Sequence, residues 1–116
     1  MPWINKDMCT GCEACVTECS VGAISMNEGI AGINDNECIR CGVCHDVCPV
    51  DAVRHDGEKV PEEVESNLVW VKRLLAHKYY SGNTEREKAL VERMKRYFTK
   101  ECKVAEKTIT QLDTLL

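Results

Sequence analysis

Aromatic side chains are scarce in this 116-residue chain: Phe, Trp and Tyr make up 5%, and the first sixty residues hold only Trp3. A domain of about that size buries too little apolar surface to stand on packing alone. Long apolar runs are missing as well. The longest, Leu68 to Val71, falls far short of the roughly 20 residues that carry a helix across a bilayer. A soluble protein with no membrane span is therefore expected. The stretch from Met1 to Thr10 lacks the basic patch and apolar run of an export signal, which points to a reducing compartment, the cytoplasm. Past Pro61 there is no further proline, and Gly82 is the only glycine. The length leaves room for one small domain and an appendage, which excludes most enzymes built around a substrate cleft.

Charge divides the chain in two. Residues 1–60 carry Lys6, Arg40, Arg54 and Lys59 against ten acids, a net of -6, whereas residues 61–116 carry eleven basic and nine acidic side chains, a net of +2. The acidic half should repel nucleic acid and be steered towards basic surfaces.

What the chain has in excess is cysteine, nine in all. In so short a chain this means a disulfide framework or a metal framework. The spacing chooses metal. Cys9, Cys12, Cys15 and Cys19 recur, 29 residues later, as Cys38, Cys41, Cys44 and Cys48, so each group reads C-x2-C-x2-C-x3-C. Zinc sites usually pair two C-x2-C knuckles and have no use for a third cysteine in each. A cubane of four irons needs one thiolate per iron, and three cysteines at two-residue gaps let one loop wrap three corners. In the two-cluster arrangement the last cysteine of each run ligates the other cluster. Two [4Fe-4S] clusters are thus expected, cluster I on Cys9, Cys12, Cys15 and Cys48, and cluster II on Cys38, Cys41, Cys44 and Cys19. With every motif cysteine used, no iron keeps an open site for substrate, and electron exchange is the expected chemistry in place of catalysis.

The duplication extends past the cysteines. Val21, Ala23 and Ile24 correspond to Val50, Ala52 and Val53, and each copy is approached by an extended stretch, Trp3-Ile4-Asn5 and Gly32-Ile33-Asn34. Each unit reads as a short strand, a cysteine loop, a helical turn and a returning strand. Small apolar residues, among them Val16, Val21, Ile24, Val43, Val47, Val50 and Val53, are expected to wrap the clusters, which then serve as the core.

From Ile4 to about Val53 the chain resembles the bacterial two-[4Fe-4S] ferredoxins, through Cys-Thr-Gly-Cys-Glu-Ala-Cys-Val-Thr-Glu-Cys and Cys-Ile-Arg-Cys-Gly-Val-Cys-His-Asp-Val-Cys-Pro. The resemblance implies an α+β ferredoxin-type (βαβ)2 domain over residues 1–60, with a pseudo-twofold axis and single-electron transfer at low potential. Two positions depart from the family pattern. Ser20 stands where Pro49 follows the other run, and Glu13 stands where Gly42 follows the other second cysteine. The two clusters need not have equal potentials.

Residues 61–116 lie outside the resemblance and read as a C-terminal α-helical hairpin, with helices about 62–80 and 84–115. Val64, Leu68, Val71 and Leu75 share one face of the first, with Val69 and Trp70 on its other sides, so cover on more than one side is expected. Thr84 and Glu87 suggest a capping box for the second. Val91, Met94, Phe98, Cys102, Ala105, Ile109, Leu112 and Leu116 line its apolar face, opposite Arg93, Arg96, Lys100, Lys103 and Lys107. The basic residues read as a solvated face, and Cys102 as a buried, inert thiol. His45 reads as a surface histidine, His55 and His77 carry no role, and Trp70, Tyr79 and Tyr80 read as hairpin packing. The expected function is a low-potential electron carrier or relay, its tail docked to a larger oxidoreductase as a small subunit or dedicated ferredoxin in an oxygen-poor cytoplasm. A redox or iron-sulfur sensor is the competing reading, and an enzyme in its own right a third.

Overall fold

The computed structural model describes residues 1–116, which form two compact units, 1–62 and 63–116. The first contains β1 (Trp3–Ile4), α1 (Ala14–Glu18), β2 (Ile24–Asn27), β3 (Ile30–Ile33), α2 (Val43–Val47) and β4 (Val53–Arg54). Strand, helix and strand thus occur twice in succession. The pairing crosses the repeat: β1 lies antiparallel to β4, with Ile4 opposite Val53, while β2 lies antiparallel to β3, with Ile24 opposite Ile33. Glu28 and Gly29, both at positive φ, close the β2–β3 hairpin in a two-residue turn that matches the twist of its strands.

The two copies repeat each other's hydrogen bonds. The N–H of Asn5 donates to the Ala52 carbonyl at 2.8 Å, and that of Asn34 to the Ala23 carbonyl at 2.7 Å. The side-chain oxygens of Asn5 and Asn34 accept from the N–H groups of Asp7 and Asn36, each at 3.0 Å. Asparagine ends the entering strand in both copies because its side chain supplies the turn acceptor locally. The carbonyls of the same two residues then take the N–H groups of Cys9 and Cys38, so each cysteine run starts from an anchored turn.

Burial in this unit falls on small residues: Pro2, Cys15, Ala23, Ile24, Ala31, Ala52 and Val53. Val16 and Val47 pack half-buried against that core, whereas Val21, Val43 and Val50 are exposed. After β4 a 3-10 turn (Asp56–Lys59) closes over Trp3, whose indole N–H donates to the His55 carbonyl at 2.8 Å. The Lys59 ammonium sits 4.4 Å from the same ring.

Helix α3 (Val60–Leu75) leads into the second unit, and α4 (Thr84–Leu112) with a final 3-10 turn (Asp113–Leu115) completes it. The first helix stops at Leu75, short of position 80. There the His77 ring Nδ1 accepts the Tyr79 N–H, and the Ser81 N–H returns to the His77 carbonyl, so residues 76–83 run as turns. The cap of α4 is also one residue earlier than the sequence suggests. Asn83, not Thr84, is the cap, and its side chain accepts from the Arg86 N–H at 3.2 Å. Trp70 meets Tyr97 and Phe98 edge-on, with ring centroids 5.8 and 6.3 Å away. Tyr79 and Tyr80 stack edge-on at the turn.

Leu90 is the only buried side chain of α4, and α3 has none. The cover expected on more than one side of α3 is partial: Trp70, Val71 and Leu75 are half-buried, while Val64, Leu68 and Val69 are exposed. On α4 the apolar stripe is half-buried at Met94 and Phe98 and exposed from Cys102 onwards. No helix is long and apolar enough to cross a membrane.

Candidate metal centres

Two cavities in the first unit gather the eight motif cysteines in two groups of four. One is lined by Cys9, Cys12, Cys15 and Cys48 with Ile4, Ala31, Val50, Ala52 and Val53; the other by Cys38, Cys41, Cys44 and Cys19 with Ile24, Ile33, Val21 and Val43. In each, three thiols come from one run, two from the loop entering a helix and the third, Cys15 or Cys44, from the helix's first turn. The fourth follows the other helix, since Cys19 and Cys48 are the residues at which α1 and α2 end, both with extended backbone.

Tight coiling of the loops makes this convergence possible. Gly11, Glu13, Arg40 and Gly42 all take positive φ, so each run turns twice within four residues. At Gly11 the geometry allows nothing else, because a Cβ there would lie 2.5 Å from the Gly29 carbonyl oxygen, at the tip of the β2–β3 hairpin. Gly11→Ala combines that clash with an unfavourable backbone. A loss of at least about 3 kcal/mol is expected, measured as a lower denaturation midpoint of the metal-loaded protein. The signal for this glycine was in the sequence, between the first two cysteines, but its reason lies 18 residues away. Glu13 and Arg40, at φ 64 and 61, hold the same backbone without being glycine, each at a cost of about 1–2 kcal/mol.

The thiols differ in a pattern that the duplication repeats. Burial pushes the Cys15 and Cys44 thiols up, and neighbouring sulfurs add to it: Cys12 and Cys48 around Cys15, Cys38 and Cys41 around Cys44. Cys19 is held below the ordinary thiol range by backbone N–H groups, first those of Ala23 and Val21. Burial opposes the same effect at Cys48, but the N–H groups of Val50, Ala52 and Val53 together outweigh it. The Ala23 and Ala52 N–H groups point at these sulfurs from 3.3 and 3.2 Å, and the Arg40 N–H points at Cys38 from 3.4 Å. A thiolate is the form such donors favour. Cys12 and Cys41 are the exposed members of their groups and stand at the two mouths.

No cysteine is in a disulfide. Nor do three or more His, Cys, Asp or Glu side chains converge at the distance that holds a single ion. Four sulfurs spread around a cavity suit a polynuclear cluster, which is gripped at its corners, better than one zinc. The donor set fits a [4Fe-4S] cluster in each cavity: four thiols, mainly apolar walls, and N–H groups aimed at sulfur.

The remaining candidates fall outside these cavities. His45 is half-buried, its Nδ1–H donating to the Val53 carbonyl at 2.8 Å, and its ring stacks on His55 with centroids 4.1 Å apart. Cys102 is not the buried thiol its stripe suggested. It is exposed, with Glu106 the nearest polar partner at 3.8 Å, because nothing covers that part of α4.

Residues 1–49 match the family model of a 4Fe-4S dicluster domain. The chain is 39% identical over 74 residues to ferredoxin-1 of Caulobacter vibrioides, an overlap of 62% of this chain and 61% of that one. It is 33% identical over 92 residues to a ferredoxin of Rickettsia felis, covering 78% of this chain and 81% of the relative. One component of an ion-translocating oxidoreductase complex of Methanosarcina acetivorans is 42% identical over 45 residues, which are 39% of this chain and 17% of that component.

Proposed function

Because the chain belongs to the bacterial two-[4Fe-4S] ferredoxins, iron-sulfur electron carriers, we propose that it is a low-potential relay passing single electrons between two clusters. Cluster I is held by Cys9, Cys12, Cys15 and Cys48, and cluster II by Cys38, Cys41, Cys44 and Cys19. The observation that carries this reading is the gathering of those thiols around two separate, mainly apolar cavities. Each cluster, when bound, takes up and returns one electron without a bond being made or broken.

The protein's part is to hold, insulate and tune. Cys19 and Cys48 each link one repeat to the other repeat's cavity, which keeps the two centres close. Their backbone N–H donors favour negative charge on sulfur and so ease reduction, while the net charge of -6 over residues 1–60 opposes it. The acidic surround is the longer-ranged influence and favours the low end of the roughly -700 to +450 mV that such clusters span.

The tail supplies a dock on a larger oxidoreductase, with the protein acting as its small subunit or dedicated ferredoxin in a reducing cytoplasm. The α-helical hairpin leaves Ile109 and Leu112 exposed at 66% and 53%, on the part of the stripe from Cys102 onwards, which is exposed throughout. Reductive titration of the anaerobic protein should take up about two electrons per chain, one per cluster. Leu112→Asp should leave that number unchanged and slow electron delivery by an anaerobic extract of the native cell. Uptake of about one electron would contradict the two-cluster reading, and undiminished delivery to the variant would remove the docking role.

A further inference from the structure

The duplication supplies an internal control, since two copies that met the same surfaces would have no reason to differ at their mouths. They do differ there. Around Cys12 the chain places Thr10, Gly11, Glu13 and Ala14; at the corresponding positions around Cys41 it places Ile39, Arg40, Gly42 and Val43. Beside Cys12 and beside Cys41 each copy puts one charged residue into a left-handed backbone position where the other copy has glycine, and the charges are opposite; away from these two cysteines Asp51 likewise stands opposite Gly22. Strain of this kind persists where the side chain is needed. Neither Glu13 nor Arg40 is spent on an ion pair within the chain. Asp56, a carboxylate that feels Arg40, is held by the amino group of Met1.

The apolar surface is distributed unequally too. Ile39 is 62% exposed and stands with Val21 and Val43, also exposed, around the cavity of Cys41. Of the residues lining the Cys12 cavity, Val50 is the only large apolar one exposed, and the charged residue among them is Glu13.

We propose that the two mouths are separate electron ports of opposite character. The Cys12 port, marked by Glu13, receives a basic face of one redox protein. The Cys41 port, marked by Arg40 and Ile39, receives an apolar face edged by carboxylates on another. This rests on the cluster reading above. In one turnover a donor docked at one port loses one electron, an acceptor docked at the other gains one, and the chain returns to its starting state with no bond made or broken. Docking of dissimilar partners at the two ports gives the electron a defined route through both clusters that two alike mouths would not, while the partners' potentials set its direction.

Three inert paramagnetic complexes test this on the anaerobic, cluster-loaded protein through broadening of the shifted cysteine β-proton signals: hexacyanochromate(III), hexaamminechromium(III), and neutral, apolar tris(acetylacetonato)chromium(III). The anion and the apolar complex should broaden Cys41 more than Cys12, and the cation the reverse. Arg40→Gly should cut the anion's effect at Cys41 about twofold or more at low salt, without touching the cation's effect at Cys12. Glu13→Gly should do the opposite, and Ile39→Thr should weaken the apolar complex alone. Both substitutions to glycine suit the backbone they enter, so loss of fold is not the expected outcome. Iron is counted in the same samples. About eight irons with all three complexes at one mouth, or with a pattern unmoved by the variants, overturns the ports and leaves the clusters standing. Fewer irons in the unaltered protein overturns both.

Discussion

Cys48→Ala is expected to remove the cluster of the first cysteine run, not that of its own. Cys48 is the end of α2 and follows Cys38, Cys41 and Cys44 in the chain, yet it lines the cavity of Cys9, Cys12 and Cys15. Iron should fall from about eight to about four per chain. The crossing is tested by adding a second substitution. Cys12→Ala on the Cys48→Ala background should cost no further iron, because that cluster is already gone, whereas Cys41→Ala should take the count close to zero. Uncrossed ligation reverses the two results. Cys19→Ala should mirror the pattern, losing the cluster of Cys38, Cys41 and Cys44. Alanine is chosen over serine because a serine oxygen can itself ligate iron.

Stripping the iron under reducing conditions should unfold residues 1–62. Ordering a residue's backbone costs about 1–2 kcal/mol, and ordinary domains offset that with large buried side chains. Here the buried set is three alanines, a cysteine, an isoleucine, a valine and a proline, and no side chain is completely enclosed. Without iron the wrapping valines enclose nothing, and the eight thiols lose what draws them together. Hydrogen exchange is the measurement. Protection at the N–H groups of Asn5 and Asn34, which tie each repeat to the other's alanine, and of Ala23 and Ala52, which point at cysteine sulfur, should vanish with the metal. Protection that survives chelation would show that packing alone carries this unit.

Local and long-range features of the chain rest on different physics. The strand, loop, helix and strand order is legible twice because each element is announced locally: a short extended stretch, an asparagine turn, a run of cysteines. Legibility fails wherever a property depends on what lies opposite. Thr84 has the spacing of a helix cap to Glu87, but Asn83 is a stronger cap and precedes it. Cys102 sits on a stripe with core-like periodicity and is nonetheless exposed, since periodicity reports which residues share a face and not whether anything covers it. The same holds for Val64, Leu68 and Val69 on α3. Spacing gives no sign that His45 and His55 stack, because the strand that returns between them sets their approach.

By itself the sequence determined the duplication, the two sets of thiols and the shortage of any other core, because cysteine spacing and composition are properties of the chain alone. Tertiary structure decided the rest. It brings Cys48 to the first run and Cys19 to the second, turns Cys12 and Cys41 outward, and presses Gly29 against Gly11 so that only glycine fits there. It also shows that Glu13 and Arg40, the neighbours of Cys12 and Cys41, occupy strained backbone. These facts arise from the approach of segments far apart in the chain, and closure of the two repeats on each other sets them, not any local pattern.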